Sequence, residues 1–315
     1  MCHRVILVDL HRALSAAVGT TRVRPTLGRI MDEVSESVQV LRRSLQRTIQ
    51  GFLVGPAEPV RNPATRTGDQ GLFGPDSITW RVHSDASILV GGVRSLLLQT
   101  MHPLAMAGVA EHSAYRTDPT GRLWRTAAYV GTVTFGTKAE AKAMVAAVKR
   151  VHIPVRGTLD GVQYSANDPH LLLWVQHTLV DSFLSSYQRF STTPLNAVEA
   201  DRYVAEQATV ATLFKAEPAA TSTAELAAYF AAMRPELRGT AQARQAVRFL
   251  MTPPLTLTMR APYSVIAAAA VGSLPARVRW ELRLPILPVA DALAVRPAAK
   301  VLTRVIDWAM KAPMA

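Results

Sequence analysis

The 315-residue chain carries 35 Lys and Arg against 23 Asp and Glu, a formal charge of +12, and 49% of its residues are hydrophobic but only 6% aromatic. A single cysteine, Cys2, excludes an intramolecular disulfide and a zinc cluster built from thiolates. The basic residues are scattered through apolar stretches without runs or interleaved aromatics, which argues against nucleic acid; a dispersed solvated surface or an anionic lipid surface fits the balance better.

The Val5 to Leu10 run is too short for a secretory core, so a cytoplasmic location is the default expectation, with peripheral membrane association left open. Leu27 to Phe52 predicts an amphipathic helix, with Ile30, Val34, Val38, Leu41, Leu45 and Ile49 spaced by threes and fours. Gly55 to Gly74 is a Pro/Gly/Asn/Asp-rich loop. A helix start at Ser77 to Trp80 and a helix over Asp85 to Leu98 follow, and Pro103 then separates off a shorter helix ending near Ala110. After the turn at Asp118-Pro119-Thr120-Gly121, helices are expected over Arg122 to Thr134 and Lys138 to Val155, the second capped by Thr137 with Glu140 three residues on. Gly157 to Gly161 reads as a turn, and Asn167-Asp168-Pro169 opens a helix to about Phe190.

Further helices are expected over Ala197 to Lys215, Ser222 to Arg234, Ala241 to Met251, Ala261 to Val271 and Val289 to Met310. The longest uncharged stretch, Ala261 to Ala276, is broken by Pro262, Gly272 and Pro275 and reads as a buried element. With no long alternating run, the fold class is all-α, one globular multi-helix domain. An N-terminal helical segment, 1–55, precedes the main domain, 56–315.

Phosphate-binding Gly loops, Gly-x-Ser-x-Gly elbows and His-Glu-x-x-His zinc helices are all missing, which leaves eight histidines as candidate chemistry. Among them His152 lies late on a helix whose apolar face holds Met144, Val145, Val148, Val151 and Val155, a setting for a neutral imidazole able to ligate iron. Arg156 follows at a spacing of four. On the preceding helix Arg122, Arg125 and Thr126 share one face, either as a functional stripe or as arginines snorkelling at the surface.

A longer series then falls in order: Gly71-Leu-Phe-Gly-Pro-Asp, His102-Pro103, Gly108-Val-Ala, His112-Ser113, Arg122, Thr126, Phe135-Gly136, Val151-His152, Gly157, Tyr164, Asn167-Asp168-Pro169, Trp174 and Tyr187. It resembles the MpaB/latex-clearing-protein rubber oxygenase catalytic-domain family, well over about residues 70 to 190 and loosely beyond. The resemblance implies a globin-like helical core holding a b-type haem. On that resemblance His152 is the iron ligand, and His152, Arg122 and Arg156 bind the cofactor. Arg125, Thr126 and a distal base form the catalytic set, and Glu111 is the nearby carboxylate available as that base. Arg125 stands where the latex-clearing branch has a lysine; a guanidinium stays protonated and cannot ligate iron, so it is expected to donate hydrogen bonds to dioxygen. The pattern also departs at Trp174-Val-Gln176, where relatives often have a histidine.

The implied activity is a haem-dependent oxygenase using dioxygen on a hydrophobic, unsaturated, isoprenoid or lipid-like substrate. Two other readings stay open at this point. One is a non-catalytic haem- or lipid-binding helical protein at an anionic membrane surface. The other is a non-haem metal site assembled from His102, His112 and His152 with Glu111; His102 and His112 also suit polar distal roles.

Overall fold

The computed structural model describes residues 24–54, 68–113 and 117–310; the Val5 to Leu10 run and most of the Gly55 to Gly74 loop lie outside them. The chain divides into two units, residues 1–49 with 308–315 and residues 50–307. To the first belongs most of α1 (Arg24–Val54), the amphipathic helix expected from the sequence. Val34, Val38 and Leu41 of its apolar stripe are exposed, and the Arg42 guanidinium lies 5.1 Å from the centroid of the Trp308 ring.

Among the described residues, the second unit is all-α apart from one small hairpin. Its helices are α2 (Ile78–His83), α3 (Ile88–Gln99), α4 (Pro103–His112), α5 (Pro119–Phe135) and α6 (Lys138–His152). After strands β1 (Arg156–Leu159) and β2 (Val162–Ser165) come α7 (Pro169–Phe190), α8 (Ala197–Phe214) and α9 (Thr223–Met233). The chain closes with α10 (Ala241–Met251), α11 (Leu257–Ser273), α12 (Ala276–Glu281) and α13 (Arg296–Met310), which continues past the unit boundary. No described helix is long and apolar enough to cross a membrane.

Local chemistry sets most starts. Ser77, Asp118, Thr137, Asp168, Asn196, Ser222 and Thr240 each accept a backbone N–H of the first helical turn, and Thr137/Glu140 and Asn196/Glu199 form reciprocal capping boxes. Pro103, Pro119 and Pro169 occupy first-turn positions, where a missing N–H costs nothing.

Around α7 the core assembles. Gly91 lets α3 approach α7 closely: a Cβ there would fall 2.7 Å from Phe183 Cδ1 and 3.0 Å from the Ser182 carbonyl. Val90, Leu97, Leu98, Met101 and Met106 pack with Trp174 and the alanine face of α11. Ile78, Val82, Phe183, Tyr187 and Tyr203 form a second cluster, and Phe73, Val133, Val145, Leu173 and Phe214 a third. Two histidines serve this core. His83 bonds Thr134 Oγ1 at 2.7 Å and the Tyr203 hydroxyl at 3.0 Å, and burial pushes its imidazole down to about 3. His177 Nε2 accepts the Ala220 N–H at 3.1 Å, and burial brings it to about 4.

The structure corrects the sequence reading between α6 and α7. There the helix expected to reach Val155 stops at His152, because Pro154 lacks the N–H needed to continue the ladder. What read as a simple turn at Gly157 to Gly161 is the tip of an antiparallel hairpin, with Arg156 opposite Ser165 and Leu159 opposite Val162. Asp160 and Gly161 take positive φ of 50° and 81°, the geometry that a two-residue Asp-Gly hairpin turn demands. Arg156 therefore stands on a strand, exposed, rather than one helical turn beyond His152. The helix expected from Ala261 begins earlier, at Leu257, and carries Pro262 inside it. Short α12, opening after Pro275, was not anticipated.

Candidate functional site

Gly136 and Thr137 join α5 and α6, so the two helices form an antiparallel hairpin. Arg122 lies 14 residues before Gly136 (136 − 122) and His152 lies 16 after it (152 − 136). At about 1.5 Å per residue, Arg122 lies roughly 21 Å and His152 roughly 24 Å along its own helix from the turn, each toward the end of its helix away from it. Arg122 donates to Ser113 Oγ just beyond α4. Thr126 Oγ1 donates to the Arg122 carbonyl at 3.0 Å, and exposed Arg125 pairs with the N-cap Asp118 at 3.2 Å. That bond helps to hold the Asp118 carboxyl below its ordinary range, together with the larger contribution of the Gly121 N–H.

The half-buried His152 ends α6. Its Nδ1 is buried and has no hydrogen-bond partner among the described residues. Burial lowers its pKa, opposed by a backbone hydrogen bond at Ala166, so the ring is neutral near pH 7.

A second group joins β2 to the end of α4. Tyr164 on β2 donates its hydroxyl to Glu111 Oε2 at 2.5 Å, and His112 Nε2 lies 3.4 Å from the same hydroxyl. Gly157 makes room for that ring: a Cβ there would stand 2.6 Å from the Tyr164 hydroxyl, whereas one on Gly108 would make ordinary contact, 3.6 Å from its Cε2 and 3.4 Å from Val155 Cγ1. Burial raises the Tyr164 pKa to about 12 and the Glu111 bond adds to it, so the phenol keeps its proton and acts as a donor.

From the sequence, His102, His112 and His152 with Glu111 form an alternative metal set. Among the described residues, His102 meets different partners. His170 Nε2 lies 2.8 Å and His102 Nε2 3.3 Å from Glu236 Oε2, and the three ligand atoms fall within 4.8 Å of one another. His102 is the N-cap residue of α4, His170 sits in the first turn of α7, and Glu236 closes a short 3₁₀ turn after α9. His170 and Glu236 were missed because 68 and 134 residues separate them from His102 (170 − 102, 236 − 102), and no spacing motif spans such gaps. The Asp168-Pro169 start signal did place His170 in a first turn, but Glu236 had no signal.

Residues 80–308 match the family described as ER-bound oxygenase mpaB/B'/Rubber oxygenase, catalytic domain. Neither the curated proteins nor the solved structures gave a match.

Proposed function

The chain belongs to the mpaB/rubber oxygenase catalytic-domain family, and on that premise we propose that it is a haem b-dependent oxygenase acting on a hydrophobic, unsaturated, isoprenoid or lipid-like substrate. The observation that carries the haem is His152: a neutral imidazole with a buried, unpartnered nitrogen at the open end of a helical hairpin. Such a nitrogen fits an iron ligand, because burying it unbonded otherwise costs about 1–3 kcal/mol.

Bound at this position, haem would supply dioxygen activation. Arg122 and Arg156 are assigned to its carboxylates, Arg122 being steadied by Ser113 and Arg156 standing on β1. Arg125 and Thr126 lie on the exposed face of α5, where the guanidinium donates hydrogen bonds without ever giving up its proton. Glu111 is placed to hold or release a proton, and Tyr164 fixes the carboxylate. Val155 and the Tyr164 ring pack against the bare backbone of Gly108.

Expression with supplied haem and a visible spectrum test this reading. The parent protein is expected to show a Soret band and His152→Ala to lose it; stoichiometric haem in the variant removes His152 from the role.

Access to a lipid-like substrate is proposed through an anionic membrane surface. The segment before α13 exposes Ile286, Leu287, Val289 and Leu293, the last at 76%, beside Arg296, Lys300 and Arg304 on one stripe of the helix. Sedimentation with phosphatidylserine vesicles should pull down the parent protein, less of Leu287→Asp/Leu293→Asp, and less of either in high salt. Equal recovery of both proteins removes this surface from consideration.

A further inference from the structure

We propose that His102, His170 and Glu236 form a binding site for one divalent first-row transition-metal ion, separate from His152. Two imidazoles and one carboxylate, each offering one atom within 4.8 Å of the others, are the donor set that suits zinc or ferrous iron and leaves the remaining positions open.

His102 carries the inference. The residue is only 2% exposed, and both ring nitrogens are buried without a hydrogen-bond partner among the described residues. Nε2 approaches Glu236 Oε2 at 3.3 Å, near enough for an ion pair but outside hydrogen-bond geometry. A ring that needed only satisfaction in the core would resemble His83, with both nitrogens bonded, or His177, which keeps one bond at Nε2 although its Nδ1 is unpartnered. His102 instead points at a carboxylate and faces a second imidazole, with ring centroids 5.8 Å apart.

Three segments hold the donors in place. Arg238, two residues after Glu236, donates its backbone N–H to the carbonyl of Met101 at 2.8 Å, tying the 3₁₀ turn to the start of α4. Pro103 fixes the backbone immediately after His102. His170 is anchored by its own N–H, which donates to Asp168 Oδ1 at 2.8 Å, and Trp174 one turn further along α7 packs 6.1 Å from the His102 ring. Access comes from solvent. Glu236 and His170 are exposed, so the donors are reached directly from solvent.

Calorimetric titration of chelator-treated full-length protein with Zn²⁺ tests the site, with Co²⁺ as an optical probe through its d–d bands. One equivalent per chain is expected. His102→Ala, His170→Ala and Glu236→Gln should each weaken binding by more than the roughly 10–100-fold that loss of an outer-shell partner costs. His152→Ala should bind as the parent does, and Glu236→Gln should keep any Soret band, so failure here is read separately from failure of the haem proposal. Glu236 is 46% exposed, which makes Glu236→Gln the variant that keeps the fold, as circular dichroism would verify. Absence of binding by the folded parent, or unchanged affinity in Glu236→Gln, overturns the site and leaves His102 and Glu236 as an ion pair only.

Discussion

Replacing Asp181 by alanine is expected to lower the unfolding free energy by about 3–5 kcal/mol, well beyond the loss caused by Arg94→Met. Arg94 lies in the middle of α3 with its side chain only 4% exposed. Its Nη1 donates to Asp181 Oδ2 at 2.6 Å and to Ser182 Oγ at 2.8 Å, and its Nε reaches the carbonyl of Ser273, at the end of α11, at 3.3 Å. One guanidinium therefore ties three helices of the core together, and the free carbonyl end of α11 adds its own negative partial charge. Asymmetry decides the ranking. Asp181 is 29% exposed and can recover water when the cation is removed. Arg94 cannot, so losing the carboxylate strands a buried charge. Urea unfolding of the two variants beside the parent checks the order. A larger loss for Arg94→Met would show that the guanidinium is solvated and the pair incidental.

Arg94 also illustrates what the sequence conceals. An arginine inside Ile88–Gln99 reads as a surface residue of an apolar helix, and only the packing of α3 between α7 and α11 reveals a buried cation. Helix starts were legible because their determinants are local: an oxygen-bearing cap, a proline at the first turn, a glutamate three residues on. The all-α class followed from the same periodicity. By contrast, the Arg156–Ser165 hairpin was hidden because each strand has four residues, too few for alternation to register, although Asp160-Gly161 is a hairpin signal in its own right. The candidate site divides along the same line. Arg122, Thr126 and His152 sit on two consecutive helices, so the sequence alone places each of them on its element. The bond from Tyr164 to Glu111 and the meeting of His102 with His170 and Glu236 depend on tertiary contacts across 53 to 134 residues (164 − 111, 236 − 102), which no local pattern encodes.

If the proposed haem oxygenase reading holds, Glu111→Gln is expected to reduce turnover by about 10²–10⁴-fold with haem content unchanged, the range for removal of a positioned proton-transfer group. The amide is close in size to the carboxylate and its oxygen can still accept from Tyr164, so the 2.5 Å contact and the packing around Gly108 and Gly157 survive the substitution. What disappears is the ability to take up a proton. Tyr164→Phe removes a donor but keeps the carboxylate; with hydrogen bonds to charged groups contributing about 1.5–3 kcal/mol, a loss of roughly 10–100-fold marks Tyr164 as a positioning residue. Dioxygen uptake with squalene as the probe alkene, normalised to haem content, provides the assay. Full turnover in Glu111→Gln would relieve Glu111 of the role and leave its bond to Tyr164 as a structural clasp between α4 and β2.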